Sequence, residues 1–238
     1  MKIAVISDIH SNIVALNAVL DSIKSNSCEE IICLGDLVGY GPHPNEVIEK
    51  ISQLGISTIM GNYDEAVGFY LPYCGCHLDS KVKLLQSQNS LRWTEENTKE
   101  ENKIILRQLP EQLECNFNGK VISAYHGSPS SITEYIYDNQ QDRLQEVIEE
   151  LNTDILLLGH THLPFIKWIG NKLIINPGSV GKPKDGDNRA SYVLLELNEK
   201  VNIEIIRVSY DIDKVIEDMS KTSLLKEFGE MLRLGKIL

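Results

Sequence analysis

"DILLLGHTHLP" occupies residues 154–164. Four apolar residues, Ile155 to Leu158, stop at Gly159, and His160 and His162 follow with only Thr161 between them. A short apolar run bounded by turn signals fits a strand buried on both faces of a parallel sheet. Such a strand ordinarily ends in turn residues and has no structural use for two imidazoles. Residues two apart in extended chain point the same way, so both rings can reach one place beyond the strand's carboxyl end.

The arrangement recurs along the chain. "KIAVIS" (2–7) is followed by Asp8 and His10, "EEIICLGD" (29–36) ends in Gly35-Asp36, "STIMGN" (57–62) in Gly61-Asn62, and "KVISAYHG" (120–127) carries His126. Helical stripes lie between: apolar residues at 13, 16, 19, 20 and 23, a Pro-opened helix over 44–53, and a helix near 139–151. Strands alternating with helices predict an α/β sheet architecture. Residues 65–113 break the rhythm, with no clear strand, helix from about 81 to 107, and a stop at Pro110; they read as a helical insertion. Gly170-Asn171 and Asn198-Glu199 mark hairpins between "FIKWI" and "KLIIN" and between "ASYVLLEL" and "VNIEIIRV". The tail, 211–238, is amphipathic and helical, so the chain reads as one domain over 1–238 with an insertion and a tail.

Composition removes several function classes. The 238 residues are 42% hydrophobic and 24% charged, a soluble globular balance. A net charge of −11 with no Lys/Arg cluster excludes long nucleic acid as a partner. No stretch approaches the roughly 20 apolar residues of a membrane helix. The sequence reaches Asp8 before the apolar core of a signal peptide can form, and its five scattered cysteines suit reduced thiols, so a cytoplasmic location is expected.

Singly, the polar residues at these strand ends have ordinary readings: a solvated loop, a hydrogen-bonded core histidine, a turn residue at Asn62, a helix cap at Asp36. Together they do not. Four of the six histidines, with Asp8, Asp36 and Asn62, follow apolar strands that end at one sheet edge, where open α/β sheets bind ligands. Burying that set without a counter-charge is costly, and divalent cations satisfy all of its members at once. Mixed O and N ligands without thiolate suit Mn, Fe, Zn or Ni. "CGCH" (74–77) lacks the second ligand pair that a separate metal site requires.

"SDIHSN" (7–12), "GDLVGYGP" (35–42), "GNYD" (61–64), "YHGSP" (125–129) and "GHTHLP" (159–164) resemble, in order, the motifs of the calcineurin-like metallophosphoesterases. "NPGSVGKPKDGDNRASY" (176–192) is similar to the segment that follows them in the small prokaryotic phosphodiesterase branch. The resemblance covers about residues 1 to 210. It implies a four-layer α-β-β-α sandwich with 65–113 as a helical cap. It also implies two divalent ions, manganese first and iron, zinc or nickel as alternatives. Asp8, His10 and His162 would hold one ion, Asn62, His126 and His160 the other, and Asp36 would bridge both. A hydroxide between the ions would attack a small phosphate ester, most simply a phosphodiester. Phosphomonoesters, phosphoproteins and dinucleotide polyphosphates stay open as substrates, as does a non-catalytic scaffold like the retromer subunit of this fold.

One position departs from the broad family, where a histidine thought to protonate the leaving group often follows the Gly-Asn pair. Here it is Tyr63. Tyr63 itself, Asp64 and His43 are the candidates for general acid, although His43 reads slightly better as a solvated loop residue and Tyr63 equally well as packing under the cap. Asn62 and Arg189 are the expected substrate contacts. Arg189 lies inside the resembling segment, whereas Lys182 and Lys184 read as solvated surface charge.

Overall fold

A computed structural model describes residues 1–76, 80–198 and 201–237. The first sheet is built from β1 (Lys2–Ile6), β2 (Glu30–Cys33), β3 (Ser57–Thr58), β9 (Ala190–Leu197) and β10 (Val201–Val208), in the order β10-β9-β1-β2-β3. The second contains β4 (Gln112–Phe117), β5 (Lys120–Tyr125), β6 (Ile155–Leu158), β7 (Phe165–Ile169) and β8 (Lys172–Asn176), in the order β4-β5-β6-β8-β7. β1, β2 and β3 run parallel, as do β5, β6 and β8. Each sheet therefore sends three carboxyl ends the same way.

Alternation along the strands decides what each face meets. Ile3, Val5, Ile32 and Leu34 of the first sheet pack against Ile122, Ile155, Leu157 and Ile175 of the second, forming the core between the sheets. The opposite faces bury Ala4, Ile6 and Cys33 under α1 (Ile13–Ser25) and α2 (Pro44–Gln53). Leu156, Leu158 and Ile174 lie under α6 (Gln141–Glu149). The result is the expected four-layer α-β-β-α sandwich.

α1 opens where Asn12 accepts a hydrogen bond from the Ala15 amide, and α2 opens on Pro44. α3 (Asn62–Gly68) leads into the insertion, which holds α4 (Lys81–Asn97) and α5 (Glu100–Arg107), and the tail holds α7 (Ile212–Ser220) and α8 (Lys226–Leu234). One element departs from expectation: β4 begins inside the stretch that reads as purely helical insertion. It is an antiparallel edge strand paired to β5 through Asn118-Gly119, both at positive φ (51° and 79°). That dipeptide is the standard signal of a tight hairpin, and Leu113, Cys115 and Phe117 alternate with polar residues before it. Gly170 turns β7 into β8 as expected. β9 and β10 pair in register, but Glu199, half of their expected turn dipeptide, lies outside the described residues, as does His77 of "CGCH".

Candidate active site

The carboxyl ends of β1, β2, β3, β5 and β6 bring Asp8, His10, Asp36, Asn62, His126, His160 and His162 together, all of them buried. Five of these seven residues, Asp8, His10, Asp36, His160 and His162, have φ between 48° and 65°. Left-handed backbone costs an L-residue about 1–2 kcal/mol, and such strain concentrates at functional sites. The loops after β2 and β3 can meet only because two glycines face each other. A Cβ on Gly35, at φ 88°, would lie 2.4 Å from the Gly61 nitrogen, and one on Gly61 would lie 2.1 Å from the Asp36 nitrogen.

Both carboxylates are anchored by one oxygen. Asp8 Oδ2 accepts from Ser7 Oγ (2.6 Å) and from the His160 amide (3.1 Å), and Asp36 Oδ1 accepts from the Tyr63 amide (2.8 Å). Their other oxygens face imidazoles. Asp8 Oδ1 lies 3.1 Å from His162 Nε2 and 3.7 Å from His10 Nε2, while Asp36 Oδ2 lies 3.6 Å from His10 Nε2 and 3.6 Å from His126 Nε2.

The tautomers follow from the partners. Nδ1 of His10, His126 and His162 donates to the backbone carbonyls of Val38 (3.0 Å), Leu34 (2.7 Å) and Lys182 (2.6 Å). A carbonyl can only accept, so the proton sits on Nδ1 and each Nε2 turns a lone pair inward. The Nε2 atoms of His10 and His162 then face each other at 3.1 Å, and His126 Nε2 faces Asn62 Oδ1 at 3.0 Å. Asp8 Oδ1 and His160 Nε2 have no hydrogen-bond partner although both are buried. Acceptors crowded against acceptors repel each other unless a cation lies among them.

Electrostatics point the same way. Burial pushes His10, His160 and His162 below the ordinary imidazole range, His162 to about 4, so they are neutral and able to ligate at pH 7. Burial opposes ionisation of Asp8, yet protonated His162, His126 and His10 outweigh it and draw the carboxyl well below the usual range, an attraction that the neutral imidazoles no longer supply. Burial, reinforced by the charge of Asp8, pushes Asp36 well above it. Two compact groups result, Asp8/His10/His162 and Asp36/His126/His160, and within each group the ligand atoms lie within 4.8 Å of one another. Their donor chemistry fits divalent metal ions.

A cavity of about 340 Å³ opens on these groups, with Lys83 and Gln86 of α4 and Phe228 and Met231 of α8 in its walls. Tyr63 lines it, its ring edge-on to His10 and its hydroxyl 3.2 Å from Ser87 Oγ. The other two candidate acids stand outside. Asp64 accepts from the amides of Gly61, Leu37 and Val38 (3.0, 2.9 and 3.3 Å) and so ties the β2 and β3 loops together. His43 pairs with Asp218 of α7 at 3.3 Å.

The expectation for the three cations is reversed. Arg189 is absent from the cavity wall because Asp187, in its own loop, holds the guanidinium at 2.6 Å on the surface. Lys182 and Lys184 are instead in the wall, and Lys182 is only 6% exposed. Cys74 and Cys76 meet the site through Asn62, whose Nδ2 donates to the Cys74 carbonyl (2.9 Å) and Cys76 Sγ (3.3 Å), turning Oδ1 toward His126.

The family model for the calcineurin-like phosphoesterase superfamily domain matches residues 1–200. The chain belongs to that superfamily. An uncharacterized protein of Methanocaldococcus jannaschii is 38% identical over 98% of each chain. The phosphodiesterase YfcE of Escherichia coli is 25% identical over 82% of this chain and 88% of its own. Among solved structures, a metallophosphoesterase from Sphaerobacter thermophilus superposes with a TM-score of 0.81 at 30% identity, covering 99% of each chain. This calcineurin-like phosphoesterase is accordingly a hydrolase of phosphate esters, and its two ligand groups suit the divalent metals of the family. No described helix is long and apolar enough to cross a membrane.

Proposed function

We propose that the protein hydrolyses small phosphodiesters in the cytoplasm with two divalent metal ions, manganese first. Asp8, His10 and His162 hold one ion, Asn62, His126 and His160 the other, and Asp36 is shared. The observation that carries this reading is Asp36 Oδ2, 3.6 Å from His10 of one group and 3.6 Å from His126 of the other. Bound there, the pair supplies Lewis acidity to the phosphoryl oxygens and a nucleophile from water near neutral pH.

The protein's own groups do the positioning. Three backbone carbonyls fix the tautomers of His10, His126 and His162, and such outer contacts raise ligand basicity and set ring orientation. The segment 65–113 acts as a cap, and with α8 it narrows the cavity and limits water around the reacting phosphorus. Tyr63 does not substitute well for an acid, since burial pushes its hydroxyl well above the ordinary phenol range.

Bis(p-nitrophenyl) phosphate with added Mn²⁺ tests the reading. Hydrolysis should appear with the metal, stop with a chelator, and fall at least about 10³-fold in Asp36→Ala, because both ions lose a ligand. Undiminished turnover by that variant would place the chemistry elsewhere.

A further inference from the structure

We propose that Lys182 and Lys184 form a second anion subsite beside the metal-ligand groups, and that the preferred substrate is a phosphoanhydride, a phosphorus diester whose leaving group is itself a phosphate. The proposal rests on the two-metal reading and names the substrate class of that same site.

Lys182 is an unusual lysine. It is nine-tenths buried, its ammonium stands 3.6 Å above the centre of the Tyr40 ring, and it lines the cavity that Asp36 and His160 also line. Among the described residues neither Lys182 nor Lys184 makes a side-chain hydrogen bond or an ion pair with a carboxylate. A desolvated ammonium with no carboxylate in contact is costly; Asp8 attracts both lysines only from a distance, and a ring face compensates only part of the cost at Lys182.

The backbone holds this loop in register with the ligands. The Val180 amide donates to the Ser7 carbonyl (2.9 Å) and the Gly181 amide to the Asp8 carbonyl (3.0 Å). The Lys182 amide donates to Ser179 Oγ (2.8 Å), and the Lys182 carbonyl accepts from His162 Nδ1. One residue thus orients a ligand histidine with its backbone and sends its cation into the cavity.

Charge decides what that cation awaits. The ligand set carries two carboxylates, Asp8 and Asp36, and no other formal charge. Two divalent ions already exceed them, so the lysines add positive charge beyond what a singly charged diester can offset. A second phosphoryl group supplies it.

The leaving group agrees. Among the described residues that line the cavity, the only carboxylate and the only imidazoles belong to the ligand set, and neither Asp64 nor His43 faces it. An alkoxide leaving group therefore finds among these lining residues no carboxyl or imidazole outside the ligand set to protonate it. A departing phosphate, with a pKa of about 6, needs none. In the reaction, water oxygen bonds to the attacked phosphorus and the bond from that phosphorus to the bridging oxygen breaks. The electron pair stays on the departing phosphate, and the proton lost by water goes to solvent.

Calorimetry on the Mn-loaded protein tests the subsite with α,β-methylene-ADP, which cannot be cleaved at the bridge, against AMP. Wild type should bind the diphosphate analogue about 10–100-fold tighter, and Lys182→Met should reduce that ratio by a similar factor. Lys182→Arg should keep most of it, and Lys184→Met should lower it in the same direction. Met preserves the apolar stem over Tyr40, and a thermal melt confirms folding. Methylenebisphosphonate should show the same dependence, because the paired phosphoryl groups rather than the nucleoside meet the lysines. An unmoved ratio in Lys182→Met, an equal loss for both nucleotides, or a bisphosphonate indifferent to Lys182 would each overturn the subsite. Cleavage of bis(p-nitrophenyl) phosphate by wild type, lost in Asp36→Ala, tests the two-metal reading separately. If it holds while the ratio stays fixed, only the subsite is wrong.

Discussion

Asp64 looks like a catalytic acid in sequence and behaves as a rivet in space. Its carboxylate gathers three buried amides, those of Gly61, Leu37 and Val38, from the two loops that present Asn62 and Asp36. Asp64→Ala leaves all three unpaired, and each orphaned buried donor costs about 1–3 kcal/mol. Urea denaturation should show a loss of about 3–5 kcal/mol, with Mn²⁺ affinity falling alongside; a change below about 1 kcal/mol would show that water replaces the carboxylate. Tyr63 carries a second test. Its ring already stands beside His10, so Tyr63→His places an imidazole at the cavity wall. Across a series of aryl and alkyl phosphodiesters the variant should gain most on the poorest leaving groups, flattening the dependence on leaving-group pKa; acid catalysis is worth about 10²–10⁴-fold. Parallel slopes for the two forms would mean that protonation is already supplied.

The same residues set a pH dependence for the metal-free protein. His10, His160 and His162 titrate lower in the fold than in the unfolded chain, so their contribution is present above about pH 6.5 and lost as pH falls through the folded values. Asp36 and Asp64 have the opposite sign, both being raised by burial, Asp64 to about 8: their contribution exists at low pH and is lost as pH rises. Three imidazoles outweigh two carboxyls. Chelated protein should therefore become less stable to urea between pH 7 and pH 4, and a flat profile over that window would contradict the neutral-histidine site.

At the scale of elements, most boundaries were written in apolar patterning. Pro44 and the stripe behind it mark α2, and the alternating or unbroken apolar runs of β5 to β10 match their paired segments. β4 was hidden because an edge strand exposes one face, so Glu114 and Asn116 dilute its apolar signal. The surroundings of Arg189 and the two lysines escape the sequence for a related reason. Whether a charge in a loop meets solvent or a cavity depends on where Asp187 and the β8 loop fold back, and no local pattern encodes that. The glycine pair that joins the loops after β2 and β3 gives a test at this scale. Gly61→Ala forces a methyl group to 2.1 Å from the Asp36 nitrogen and must part the two loops. The sheets should survive by circular dichroism, while Mn²⁺ affinity drops about 10–100-fold, the range for lost outer-shell support. Unchanged affinity would mean that the loops can separate without moving Asp36 or Asn62.

Across the whole molecule, two sheets with separate parallel cores aim their carboxyl ends at one crevice, and neither sheet holds a complete ligand set. β1, β2 and β3 supply Asp8, His10, Asp36 and Asn62; β5 and β6 supply His126, His160 and His162. Packing between the sheets, through Val5, Leu34, Ala124 and Leu157, is therefore what assembles the site. The ligand types and their strand-end placement were legible in the sequence, because apolar runs that stop at Asp, Asn or His are visible without coordinates. The unpaired acceptors, the carbonyl-fixed tautomers and the buried Lys182 were not, because each depends on contacts between segments far apart in the chain.

Anomalous diffraction from crystals grown with Mn²⁺ tests the central claim most directly. Two peaks should appear, one among Asp8, His10 and His162 and one among Asn62, His126 and His160, with Asp36 contacting both. One peak, or none, at full metal loading would contradict it.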